Sequence, residues 1–274
     1  MKLREALTAA ASRLADVSDT PRLDAELLAA HLFDIDRNTL LLSRLDGGVP
    51  AGFSALVERR MTHEPVAYIV GHRDFWTLDL KVVPGVLIPR PDSETLIEAA
   101  LTWFGPRTPA TVLDLGTGSG ALLLAALSEF PEANGTGIDQ SPTALAVAAE
   151  NAVRSGLHKR ARFCAGNWGE GVDGQFDLIL CNPPYISTQA DLPETVAGFE
   201  PGEALFAGAD GLDDYRILAP QIARLLSVTG CAAVEIGFDQ ALSAGTLFRD
   251  AGLSVGVRPD LGGRDRCLVL TKSL

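Results

Sequence analysis

Along the first seventy residues the apolar positions recur at helical spacing, in LREALTAAASRLADV, TPRLDAELLAAHLFDI and PAGFSALVERRMT. Thr20 followed by Pro21 reads as a helix start, with Thr20 at the N-cap and Pro21 in the first turn. No strand-like alternation interrupts these runs, so a small helical bundle is expected over residues 1–70. From Gly71 the pattern changes. RDFWTLDLKVVPGVLIP alternates, and its Pro84-Gly85 pair predicts two short strands joined by a turn, a linker over 71–90. DSETLIEAALTWF then opens the main domain, 91–274, with acidic residues in a first helical turn that favours them.

Beyond Thr111 strands and helices alternate. TVLDL, GTGID, RFCAG, FDLILC and CAAVEIG read as strands; GALLLAALSEF, SPTALAVAAENAVRSG and DDYRILAPQIARLLS read as helices. This predicts an α/β domain, a mostly parallel sheet with helices on both faces. The tail LSVGVRPDLGGRDRCLVLTKS departs from the alternation and predicts an antiparallel edge hairpin.

Composition narrows the class. With 47% hydrophobic and 21% charged residues the chain is globular, and no apolar run is long and clean enough to cross a bilayer. The N-terminus lacks a basic-then-apolar layout, so a cytoplasmic protein is expected. The net charge of -12 supplies no general attraction to phosphates, which argues against a nucleic-acid partner. Four cysteines without a CxxC pair and four scattered histidines predict buried thiols and no metal site.

Two short stretches carry chemistry. VLDLGTGSGALLL puts Gly116, Gly118 and Gly120 between a strand and a helix, where glycine permits positive φ and helix N–H groups face a ligand. Asp139, closing the next strand, is placed to accept from both hydroxyls of a ribose. The GxGxG spacing differs from the dinucleotide GxGxxG and leans toward S-adenosylmethionine, with Asp114 near its amino-acid end or fastening the loop. Trp168, after the third strand, offers a face for adenine, and Asn167 beside it is a weaker candidate.

The second stretch, Asn182-Pro183-Pro184-Tyr185, follows FDLILC, the strand expected to flank the first one across the sheet's switch point. The Asn182 side-chain carbonyl and the Pro183 backbone carbonyl are two acceptors, and Tyr185 is a flat face. Together they suit a planar NH2 group, oriented in line with a sulfonium methyl. The tetrapeptide alone does not distinguish glutamine or asparagine amides from adenine or guanine amines, so a nucleic-acid amino-methyltransferase is the alternative.

The chain resembles the release-factor glutamine methyltransferases called PrmC or HemK. The resemblance runs through EPVAYIVGHRDFW, VLIPRPDSETLIE, DLGTGSG, GIDQSPTALAVAAENA, NWGE, CNPPYIS, FEPGEALFAGADGLDDYR and DLGGRDRCLVL. It implies a Rossmann-like methyltransferase domain that uses S-adenosyl-L-methionine and leaves S-adenosyl-L-homocysteine. The acceptor it implies is the glutamine of the Gly-Gly-Gln motif in peptide chain release factors, with the helical domain helping to hold that partner. It implies cofactor contacts by Gly116, Thr117, Gly118, Ser119, Gly120, Asp139, Trp168 and Asn182. Asn182, Pro183, Pro184 and Tyr185 would hold the substrate glutamine. An acid is common in the family where Asn167 stands. Phe199, Glu200 and Pro201 are candidates for a wall of the glutamine pocket.

Overall fold

The structure, a computed structural model, describes residues 1–273. Its contacts divide it into two units, Met1–His72 with Leu192–Phe199, and Arg73–Asp191 with Glu200–Leu274.

In the first unit, α1 (Leu3–Leu14), α2 (Pro21–Phe33) and α4 (Phe53–Met61) follow the expected periodicity. Two further helices, α3 (Arg37–Ser43) and α5 (Val66–Val70), are too short to announce themselves by period. Leu3, Leu7, Leu14, Leu28, Leu40 and Val57 form their common core. Pro21 does open α2, but Thr20 makes no side-chain cap. Its hydroxyl donates instead to Asp24, at 3.2 Å, and Asp24 also holds the buried Arg60 guanidinium at 2.7 Å. Turned to donate to that carboxylate, the hydroxyl accepts from no helix N–H. The single helical turn Glu194–Ala197 groups with this unit, where Glu194 lies 3.4 Å from His63.

Strands β1 (His72–Phe75) and β2 (Leu78–Lys81) pair as a two-stranded sheet. Their connection is not at Pro84-Gly85, as the turn signal suggested, but at Trp76-Thr77, where Trp76 takes φ 55°. A two-residue hairpin turn needs positive φ, and here Glu94 accepts from the Trp76 backbone N–H while Glu129 accepts from its indole N–H. Gly85, with φ 88°, serves a later turn.

The second unit is a seven-stranded sheet of β3 (Thr111–Leu115), β4 (Asn134–Asp139), β5 (Ala161–Ala165), β6 (Phe176–Cys181), β7 (Leu226–Glu235), β8 (Leu253–Pro259) and β9 (Asp265–Lys272). Their order is β5-β4-β3-β6-β7-β9-β8. The first five are parallel, while β9 runs antiparallel to β7 and β8, so the edge hairpin stands as expected. The central strands are buried on both faces. Val112, Leu178 and Leu180 pack under α6 (Glu94–Phe104) and α7 (Ala121–Glu129); Leu113, Leu115 and Ile179 pack against Tyr215 and Ile222 of the Asp213–Leu225 helix and Phe248 of the Ala241–Asp250 helix. Helix α8 (Pro142–Arg154) covers β4 and β5.

The strand order reverses between β3 and β6, and a crevice opens there beyond their carboxyl ends. Three of the cysteines are buried as expected, whereas Cys164 is exposed, because β5 is an edge strand with one face toward solvent. No helix among the described residues is long and apolar enough to cross a membrane.

Candidate active site

A cavity of about 480 Å³ occupies that crevice. Gly116, Thr117, Gly118, Ser119, Asp139, Trp168, Asn182 and Pro184 line it. Asp114, Gly120, Pro183 and Tyr185 adjoin these residues along the chain but are not part of the lining, and Asn167 is exposed and outside it. The volume is that of a small-molecule site.

The glycine loop is fixed through its N–H groups. Gly116 N–H and Thr117 N–H both donate to the Ile138 carbonyl at 2.9 Å, and Gly118 N–H donates to Asp139 at 2.8 Å. These three loop N–H groups are therefore engaged, because parallel pairing sets Leu115 opposite Ile138 and brings the end of β4 alongside. What the loop offers is shape. Gly116 has φ 72°, and a Cβ there would lie 2.8 Å from the Trp168 ring, so only glycine lets that ring cover the loop.

Trp168 itself has φ 51°, a costly conformation for a bulky residue. The Asp213–Leu225 helix holds it: Asp214 accepts from the indole N–H at 3.2 Å, Gln221 accepts from Gly169 N–H at 2.7 Å, and Arg224 donates to the Gly169 carbonyl at 2.8 Å.

Asp139 keeps room for a ligand. One carboxylate oxygen accepts from Gly118 and the other from Ser141 at 2.9 Å, which leaves lone pairs on both for incoming hydroxyls. Asp114 has no such freedom. It is fully buried, accepts the Thr117 hydroxyl at 2.6 Å and leaves its second oxygen without a partner. Burial pushes its carboxyl up to about 7. Of the two roles open to Asp114, fastening the loop is the one this geometry matches.

The acceptor end is built from side chains distant in sequence. Asn182 Nδ2 donates to Ser93 Oγ at 3.1 Å, and Ser93 Oγ donates to Glu235 Oε2 at 2.5 Å. Tyr185 donates its hydroxyl to the other Glu235 oxygen at 3.2 Å. Glu235 ends β7 with its side chain buried, which pushes its carboxyl up to about 7 against the opposing pull of Ser93, Arg266 and Tyr185. Burial, with the Glu235 charge adding to it, raises the Tyr185 phenol well above its ordinary value, so it stays neutral. Gln240 anchors the segment behind, donating to the Tyr185 carbonyl at 2.9 Å. Among the described residues nothing donates to Asn182 Oδ1 or to the Pro183 carbonyl.

Of the three residues proposed as a wall, Pro201 lines the cavity. Glu200 works from behind: buried, it accepts from Ile88 N–H at 3.1 Å and pairs with Arg90, which straps the IPRP segment to the rim. Phe199 belongs to the stretch grouped with the helical unit.

Pattern reading missed Ser93, Glu235, Asp214 and Asn151. Asn151 Nδ2 donates to the Ser119 carbonyl at 2.9 Å and to the Lys81 carbonyl at 3.0 Å, tying the glycine loop to β2. The available signals were a carboxylate closing the apolar run CAAVE and an amide on the inner face of α8.

Comparison with known proteins agrees with this layout. Residues 5–71 match the family model described as PrmC N-terminal domain, and residues 108–235 match a methyltransferase domain. A release factor glutamine methyltransferase of Rhodospirillum rubrum is 46% identical over 257 residues, covering 92% of this chain and 79% of its own. One of Caulobacter vibrioides is 41% identical over 281 residues, covering 100% of this chain and 97% of its own. Among solved structures, a methyltransferase from Pyrococcus furiosus shares the fold, with a TM-score of 0.56 at 20% identity over 72% of this chain and 90% of that one.

Proposed function

The chain belongs to the release factor glutamine methyltransferase family, and from that premise we propose that its cavity passes a methyl group from S-adenosyl-L-methionine to the side-chain nitrogen of the glutamine in the Gly-Gly-Gln motif of peptide chain release factors. The observation that carries this is the meeting, in one cavity, of the glycine loop with Asp139 and of the Asn182 amide.

When bound, S-adenosylmethionine supplies a methyl carbon on a sulfonium and is left as neutral S-adenosylhomocysteine once the carbon–sulfur bond has broken. The residues present fit it. Asp139 would accept the ribose hydroxyls on the remaining lone pairs of its two carboxylate oxygens, and the Trp168 ring over Gly116 would give adenine a flat apolar wall.

Asn182 Oδ1, on the cavity wall, accepts one N–H of the glutamine amide, and the Pro183 carbonyl, next along the chain and taken by no other donor among the described residues, is the acceptor assigned to the second. An amide nitrogen is a weak nucleophile because its lone pair is shared with the carbonyl. Holding both protons orients the lone pair toward the methyl carbon and favours the charge that develops on nitrogen as the bond forms. The surplus proton leaves to solvent afterwards, so no strong base is required. The neutral, buried Tyr185 phenol is in keeping with that. The helical unit over 1–72 serves as the grip on the release factor.

Purified protein with labelled methyl donor is expected to modify a full-length release factor at that glutamine, read by peptide mass spectrometry. Labelling of DNA or RNA with none on the release factor overturns the proposal.

A further inference from the structure

We propose that Ser93 and Glu235 are positioning residues that set the polarity of the Asn182 amide, so that its oxygen and not its NH2 group faces the cavity; this rests on the glutamine reading above. The two ends of an asparagine amide are alike in size, so packing alone does not choose between them. Hydrogen-bond partners do.

Asn182 meets Ser93, and a serine hydroxyl has one proton to give and lone pairs to receive. Which it shows to Asn182 depends on where its proton goes. Glu235 decides that, because a carboxylate only accepts: it takes the Ser93 proton at 2.5 Å and leaves lone pairs toward Asn182 Nδ2. Arg266, 7% exposed and running one guanidinium nitrogen to Asp92 at 3.2 Å, holds positive charge nearby and favours the ionised Glu235. Tyr185 donates into the same carboxylate at 3.2 Å. Both hydroxyls of the acceptor end thus point toward one buried anion, and with Nδ2 committed to Ser93 the Asn182 oxygen is the end left for the substrate.

Two substitutions reverse or remove the polarity without removing Asn182. In Glu235→Gln the new amide can donate to Ser93, whose hydroxyl can then donate to Asn182 and turn it round. Ser93→Ala deletes the relay, and Ser93→Thr keeps the hydroxyl. Assayed on a release factor at about pH 8, where Glu235 is mostly ionised, Glu235→Gln and Ser93→Ala are expected to lower kcat about 10- to 100-fold. KM and calorimetric affinity for S-adenosylhomocysteine should stay within about two-fold, and Ser93→Thr should recover most of the turnover. A second measurement needs no substrate. The Asn182 side-chain NH2 resonance, identified by its loss in Asn182→Ala, should exchange slowly in the parent protein and rapidly in Glu235→Gln and Ser93→Ala. Full turnover in Glu235→Gln, an unchanged Asn182 resonance, or cofactor affinity falling in step with kcat overturns the proposal. A parent protein that methylates no release factor overturns the functional reading instead, and the resonance then still tests the polarity.

Discussion

The two ends of the cavity are held by different kinds of bond. At the cofactor end the contacts that set the loop start from its main-chain N–H groups and are nearly local: Gly116 and Thr117 to the Ile138 carbonyl, and Gly118 to the Asp139 carboxylate, a separation of 21 residues. At the acceptor end they run between side chains far apart in the chain. Asn182 and Ser93 are 89 residues apart, Ser93 and Glu235 are 142 apart, and Tyr185 and Glu235 are 50 apart. The cofactor end therefore depends on backbone shape, which glycine spacing encodes. The acceptor end depends on the sheet bringing β6 and β7 side by side, and on α6 being led in by Ser93. Substitutions should separate these two kinds of dependence.

The largest effect is expected from Asn182→Ala. It removes an acceptor that matters most as charge develops, so kcat should fall by about 100-fold or more. Titration calorimetry should find cofactor affinity little changed, since the glycine loop and Asp139 are untouched. Loss of affinity in proportion to kcat would merge the two ends into one and defeat the comparison.

Asp139→Ala probes the other end. It deletes the ribose acceptor together with the acceptors for Gly118 and Ser141 N–H, so both binding and loop order suffer. Cofactor affinity should weaken by about 10-fold or more, the equivalent of one or two lost charge-assisted hydrogen bonds. At saturating cofactor, kcat should fall far less than in Asn182→Ala. An unchanged dissociation constant would remove Asp139 from the cofactor's contacts.

The same contrast explains what the sequence disclosed. Alternating apolar runs located every strand of the sheet, and GxGxG with Asp139 marked the cofactor end, because each signal is local. NPPY disclosed Asn182 but not the residues that orient it. Ser93 looks like any hydroxyl in a helical turn until the fold sets it 2.5 Å from Glu235. Tyr185 and Pro183 were legible as members of the motif, yet only the structure shows that Asn182 and Pro184 are the two of the four that line the cavity. Thr20 misled because its hydroxyl donates to Asp24 and takes no helix N–H. Pro84-Gly85 misled because a true turn signal stood beside a hairpin that closes at Trp76 without glycine.

Asp114 should have the smallest effect on turnover, and it sharpens the comparison through pH. It lies under the cofactor end but does not line the cavity, so Asp114→Asn should leave cofactor affinity within about five-fold of the parent, well short of the Asp139→Ala loss. Its stability signature is distinct. Burial pushes the folded-state carboxyl up to about 7 from an ordinary value of 3.8. Below both values the group is protonated in folded and unfolded chains and contributes no pH dependence. As pH rises between them the unfolded chain releases the proton while the folded chain keeps it. The folded state then binds more protons, so stability falls with rising pH and levels off above about 7. Glu235, also pushed up to about 7, adds a slope of the same sign. Asn cannot ionise, so Asp114→Asn should remove one of these two slopes: its thermal midpoint should decline less than the parent's between about pH 5 and pH 7. Equal declines in the two proteins would show that Asp114 is ionised within the fold, and that the unpartnered oxygen beneath the loop is satisfied by solvent.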